Sequence, residues 1–332
     1  MLILIQYLPF WGIMLLANRA ERDKTARTLT YLSLVLVNLF LLCGALVCLG
    51  LYAISQPEWR EAMPDLVLPF ESAALLGLAG ALAATALAAL VFLLPPVRRL
   101  LARWLPIDPA SCMDCVALVF AVYFVGLTAL QFGLLGGVEG LALADFSPTA
   151  ADLLFSGLAL IIFALLGVGW IMRRSTGETL QRLGLGRMQA KHLLLALGLI
   201  PAFLILDVAV SLVWSALDPT GAEQVANANK ALFGGMATLS LAVPLALATG
   251  IGEEVLFRGA VQPRLGLWFT SVTFALGHLQ YGLSPALLQI LALGLVLGLV
   301  RQRVNTTTCI VIHALYNLSN LFLMSWLSQF AS

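Results

Sequence analysis

Long apolar runs separated by short polar gaps organise the whole chain. They fall at 2–16, 29–54, 71–94, 114–136, 149–172, 190–216, 236–262, 267–280, 285–300 and 306–327. A helix needs about 20 apolar residues to cross a bilayer core. The pattern predicts an all-α, polytopic membrane helix bundle with about nine or ten transmembrane helices. The first run is short and lacks a basic leader, so it either spans or lies in the interface. The short pair at 267–280 and 285–300 predicts helices that do not each cross fully.

The polar gaps alternate in charge. Arg19, Arg22, Lys24 and Arg27 follow the first run, and Arg98, Arg99 and Arg103 follow the third. Arg173, Arg174, Arg182, Arg187 and Lys191 follow the fifth, and Arg264, Arg301 and Arg303 fall in later gaps of the same parity. The opposite gaps hold only Arg60 and Lys230 as cations. Positive-inside bias assigns the basic set to the cytoplasm. The longest polar stretch on that side, 173–191, divides the chain. Residues 1–175 form an N-terminal transmembrane region without an assigned role. Residues 176–332 carry the unusual polar residues.

Composition excludes a soluble domain: 61% of the 332 residues are hydrophobic and 11% charged, against about 25% charged in soluble domains. A net charge of +1 gives no footprint for nucleic acid. The five cysteines make no disulfide framework. Cys112 and Cys115 form one CxxC without the second pair a zinc ribbon needs, which predicts ordinary helix-end residues.

The chemistry-bearing residues begin in "GIGEEVLFRG", residues 250–259. Glu254 and Arg258, at i and i+4, share a helix face and can pair, which offsets the cost of charge at membrane depth. Glu253 points about 100° away around the helix and is free for another task. Two of the three histidines, His278 and His313, lie in later apolar runs, with Asn317 one turn beyond His313. His192 opens a helix and reads as interfacial. At 1.5 Å per residue, Glu253 lies about 18 Å, His278 about 16 Å, His313 about 10 Å and Asn317 about 16 Å from the basic-loop end of its run. The four side chains can meet in one layer. A carboxylate and an imidazole can hold and deprotonate water, while a second imidazole and a carboxamide can donate to a developing oxyanion. A zinc site from Glu253, His278 and His313 is the chemical alternative. No helix places two ligands at the usual close spacing, so no metal and no cofactor is expected. Asp207, inside another run, is either a hydrogen-bonded packing residue or part of a cavity wall.

Glu-Glu-x-x-x-Arg at 253–258, Phe-x-x-x-His at 274–278 and His-x-x-x-Asn at 313–317, in this order on successive apolar helices, resemble the family of CAAX proteases and bacteriocin-processing enzymes. That membrane family of glutamic, metalloprotease-like peptidases includes the Ras-converting CAAX endopeptidase. The resemblance runs over about residues 185–325, with "RLGLGR" at 182–187 similar to a lead-in of bacterial members. It implies a CAAX-protease-like catalytic domain in 176–332. It also implies that Glu253 and His278 activate water, His313 and Asn317 form the oxyanion hole, Glu254 and Arg258 support the site, and Phe274 packs beside His278. The implied protein is an intramembrane endopeptidase of a bacterial-type plasma membrane. Its site faces the cytoplasmic side, its substrate is a membrane-associated peptide or protein, its surroundings are the lipid bilayer, and it has no nucleic-acid partner. Two alternatives stay open: a non-catalytic immunity or scaffolding protein of the same family, and a transporter. Concentration of polar residues in one half argues against paired transporter halves.

Overall fold

Helices that close their backbone hydrogen bonds within each apolar run are, with closed barrels, the only ways to carry a chain through hydrocarbon. The computed structural model follows that rule. It describes residues 2–60, 72–134, 136–143, 147–236 and 238–328, and among these no strand forms. The principal helices are α1 (Leu8–Ala20), α2 (Lys24–Ile54), α3 (Ser72–Leu93), α4 (Cys112–Leu134), α5 (Ala150–Val168) and α6 (Thr176–Leu183). The chain continues through α7 (Ala190–Leu217), α8 (Pro219–Phe233), α9 (Leu239–Leu265), α10 (Leu267–Leu276), α11 (Pro285–Arg303) and α12 (Thr306–Ser328).

Seven described helices are long and apolar enough to cross a membrane: α2, α3, α4, α5, α7, α9 and α11. Three of the apolar runs give something else. The first becomes Leu2–Ile5 followed by the 13-residue α1, and α10 is only 10 residues long. The third, α12, has 23 residues but carries His313, Asn317 and Asn320 within its length. The protein is an integral membrane helix bundle.

Local signals set the helix ends. Asp23 Oδ1 accepts from the Thr25 and Ala26 backbone N–H groups at the start of α2. Thr149 with Asp152, and Ser175 with Glu178, form reciprocal capping boxes at α5 and α6, each satisfying donors that a helix start leaves open. His192 Nδ1 accepts from the Gln189 backbone N–H at the start of α7. Cys112 and Cys115 are buried free thiols in the first turn of α4, and Cys115 Sγ accepts from the buried Arg98.

Helices α2, α3 and α4 pack side by side, while α9 lies between α5 and α12. Small residues allow this sandwich. A Cβ added to Gly252 would sit 2.9 Å from the Gly157 carbonyl oxygen of α5, and one added to Gly250 would sit 2.6 Å from the Ala314 Cβ of α12. The short α10 packs on α11, where Gly294 and Gly298 face Ser271, Phe274 and Leu267.

Candidate active site

The segment with the paired carboxylates does not stay α-helical. Val255–Val261 forms a π-helical stretch inside α9, immediately after Glu254. Pro263 supplies a local reason. It has no N–H, so neither Gly259 O, four residues back, nor Arg258 O, five back, receives a donor from it. Two arginines from other elements take those carbonyls instead. Arg182 Nη1 donates to Gly259 O at 3.2 Å and Arg301 Nε to Arg258 O at 3.2 Å. Single π turns within helices recur at functional sites.

Glu254 and Arg258 pair as the i, i+4 spacing predicts, with Nε to Oε2 at 3.2 Å and both side chains sealed from solvent. The angle is poor, so charge rather than an aligned hydrogen bond holds them. The other carboxylate oxygen, Oε1, accepts from His313 Nδ1 at 2.8 Å. Arg258, Glu254 and His313 therefore form one buried chain across two helices. Arg258 also donates to the Gly294 carbonyl through Nη2 and lies 4.4 Å from the Phe274 ring centroid. Four residues on, Gln262 Nε2 donates to Gly298 O at 2.8 Å. The two glycines of α11 thus offer their carbonyls to one face of α9.

Phe274 is the hub of the packing. Its ring lies 4.8 Å from that of His278, 6.2 Å from that of His313 and 5.2 Å from that of Phe257. His278 Nδ1 lies 2.8 Å from Phe274 O. A carbonyl only accepts, so Nδ1 carries the proton and Nε2 of the neutral ring is left as the acceptor. The same logic places a proton on His313 Nδ1, because Glu254 is ion-paired and accepts.

Glu253 is only partly buried, yet its Oε2 is enclosed and has no hydrogen-bond partner among the described residues. No hydrogen bond joins it to His278 among those residues. Asn317 Nδ2 donates to Thr249 Oγ1 at 2.9 Å. Thr249 escaped the sequence reading. Its signal was present, because it lies one turn before Glu253 on α9 as Asn317 lies one turn after His313 on α12. The structure therefore joins Glu254, Arg258, Phe274, His278 and His313 by direct contact. Glu253 and Asn317 sit one residue and one turn away from that cluster. Among the described residues, no three His, Cys, Asp or Glu side chains converge on a common metal position.

Asp207 resolves as a hydrogen-bonded packing residue. It accepts from Tyr316 Oη at 2.7 Å, from Asn320 Nδ2 at 3.3 Å and from Gln289 Nε2. One carboxylate thus ties α7 to α11 and to the face of α12 next to Asn317. Asp207→Ala strips three donors of their acceptor, and the buried one among them, Tyr316, left unpaired costs about 1–3 kcal/mol. The melting temperature of the detergent-solubilised protein is expected to fall clearly, and less for Asp207→Asn, which keeps one acceptor oxygen. An Ala variant melting with the wild type would show that Asp207 does not hold these helices together.

Residues 235–319 match the family model described as Rce1-like, type II CAAX prenyl endopeptidase Rce1-like. The matched segment holds Glu253, Glu254, Arg258, Phe274, His278, His313 and Asn317, while Asp207 and the "RLGLGR" stretch lie outside it. No curated protein and no solved structure matches the chain.

Proposed function

We propose that this integral membrane protein is an intramembrane endopeptidase that hydrolyses a peptide bond of a membrane-associated protein or peptide, with residues 176–332 as its catalytic part. The observation that carries the reading is the contrast between the two adjacent glutamates. Glu254 has Oε1 hydrogen-bonded to His313 and Oε2 held by the charge of Arg258, without an aligned hydrogen bond. Glu253 Oε2 is enclosed and unpartnered, and a buried polar atom without a protein partner calls for water or substrate. The Rce1-like match over the same residues supports the same chemistry.

In this reading Glu253 takes a proton from a water held between it and His278 Nε2. The water oxygen bonds to the peptide carbonyl carbon, and the carbonyl oxygen becomes an oxyanion. Asn317 keeps one N–H bonded to Thr249 and aims the other at that oxyanion. His313 has its Nδ1 proton fixed on Glu254, so it donates from Nε2 only as an imidazolium. Charge balances at that stage: Glu254⁻ and the oxyanion, which has taken over the negative charge of the now protonated Glu253, offset Arg258⁺ and His313⁺. Return of the proton to the leaving nitrogen breaks the C–N bond and restores the carboxylate. No metal enters these steps. Basic loops at the near ends of α9 and α12 support access from the cytoplasmic side.

Comparative proteomics of membranes from cells carrying the wild type or the Glu253→Gln variant tests the proposal. A polypeptide terminus that appears only with the wild type, and whose formation by purified protein survives EDTA, is the expected result. Identical termini in both membranes would favour a scaffolding protein. Activity lost in EDTA and restored by zinc would overturn the metal-free mechanism.

A further inference from the structure

A second polar feature, unconnected to the carboxylate–histidine cluster, lies where α1, α2 and α5 end on the basic-loop face. An open cleft of about 600 Å³ is lined there by Asn18, Arg19, Arg22, Lys24 and Arg173, with Asp23 and Met172. An adjoining cleft of about 490 Å³ shares Arg22 and Arg173 and adds Arg174. Five cations thus border one continuous depression. The three nearby carboxylates are already engaged: Glu178 Oε2 accepts from the Ser175 backbone N–H and hydroxyl at the start of α6. Asp23 caps α2 and pairs with Arg19 through Oδ2, and Glu21 Oε1 accepts from Ser111 Oγ and the Met113 backbone. An excess of positive charge remains. Arg173 Nε is enclosed without a hydrogen-bond partner among the described residues.

The backbone beside it is held under strain. Ile171 sits at φ 57°, the sole non-glycine residue with positive φ among those described, in a region that β-branched residues strongly avoid. The turn is fixed from both sides. Gly169 at φ 84° ends α5, its carbonyl accepts from the Arg173 and Arg174 backbone N–H groups, and the Arg174 side chain donates to Val168 O. Asn18 Nδ2 locks α1 to the same turn through Leu166 O at 2.8 Å. The result pushes Ile171 outward at 70% exposure with Met172 beside it at 40%. Strain at an exposed apolar tip beside unsatisfied cations is a reason to look for a ligand with both an anionic and an apolar part.

We propose that this cleft binds the phosphate headgroup of an anionic phospholipid, with Arg22, Lys24 and Arg173 as the principal phosphate contacts and Ile171 and Met172 inserted at the acyl boundary. Three observations favour a lipid over a free phosphate. The cleft lies at the basic-loop ends of the membrane-length helices α2 and α5. The apolar tip adjoins it. The α2 surface below carries exposed Leu29, Leu32, Leu36 and Phe40, a spacing that aligns them along one helix face as a track for acyl chains. Basic pockets between membrane helices on the positive side are where such headgroups bind. The site is independent of the peptidase reading.

The test titrates the purified full chain in neutral detergent with short-chain phosphatidylglycerol, short-chain phosphatidylcholine or inorganic phosphate, and follows the melting temperature. A saturable rise with phosphatidylglycerol alone is expected, because a ligand of the folded state stabilises it by mass action. The Arg22→Gln/Lys24→Gln variant, whose side chains are exposed, should fold and bind at least about tenfold more weakly, given the loss of two protein cations that face the headgroup. Arg173→Gln should weaken binding similarly. An equal response to phosphatidylcholine would eliminate headgroup recognition. An equal response to inorganic phosphate would make this a soluble-anion site instead. Unchanged affinity in both variants would place the lipid elsewhere, and any of these results overturns the proposal.

Discussion

Glu253→Gln is expected to reduce peptide-bond cleavage by about 10²–10⁴-fold, the range that a positioned general base supplies, with little change in melting temperature. The amide matches the carboxylate in shape but cannot take a proton from water. Glu253 makes no ion pair or hydrogen bond with its side chain among the described residues, so its replacement breaks nothing that holds α9 to its neighbours. The neighbouring carboxylate gives the control. Glu254→Gln disturbs the Arg258 and His313 contacts together, and should lower both stability and activity. A purified Glu253→Gln protein that cleaves at the wild-type rate would remove Glu253 from the chemistry.

Arg258→Ala is expected to act through stability first. Removing one partner of a buried ion pair leaves the other charge uncompensated, at about 3–5 kcal/mol. Glu254 is fully buried, and its remaining partner, His313, would have to meet its charge alone. The substitution also removes the cation above Phe274 and the donor to Gly294 O. Lysine keeps the charge but not the planar fork that reaches Glu254, Gly294 and the ring face together, so Arg258→Lys should fall between. The measurement is thermal melting in detergent beside a cleavage assay. An unchanged melting temperature with lost cleavage would mean that Arg258 touches the substrate instead.

Much of this protein is legible along one dimension. Apolar run length specifies membrane helices because hydrocarbon admits little else. The Glu254–Arg258 pair follows from helical periodicity, which brings residues four apart onto one face whatever surrounds them. The order of the Glu-Glu, His and His-Asn motifs points to one cluster because their depths along successive helices agree. The Rce1-like match covers all of these residues.

The tertiary structure decided which faces meet. It turned Glu254 from a helix-local partner of Arg258 into a bridge to His313, and it gave Asn317 to Thr249. It brought α5, from the chain before residue 175, against α9 through Gly157 and Gly252. It also placed the π stretch after Glu254, foreshadowed only by Pro263, because Arg182 and Arg301 accept the carbonyl duties that the proline cannot serve. Contacts within a helix are set by its pitch, so a sequence carries them openly. Contacts between membrane helices depend on close packing of small residues and on where scarce polar groups find partners, and those choices exist only once the helices are assembled.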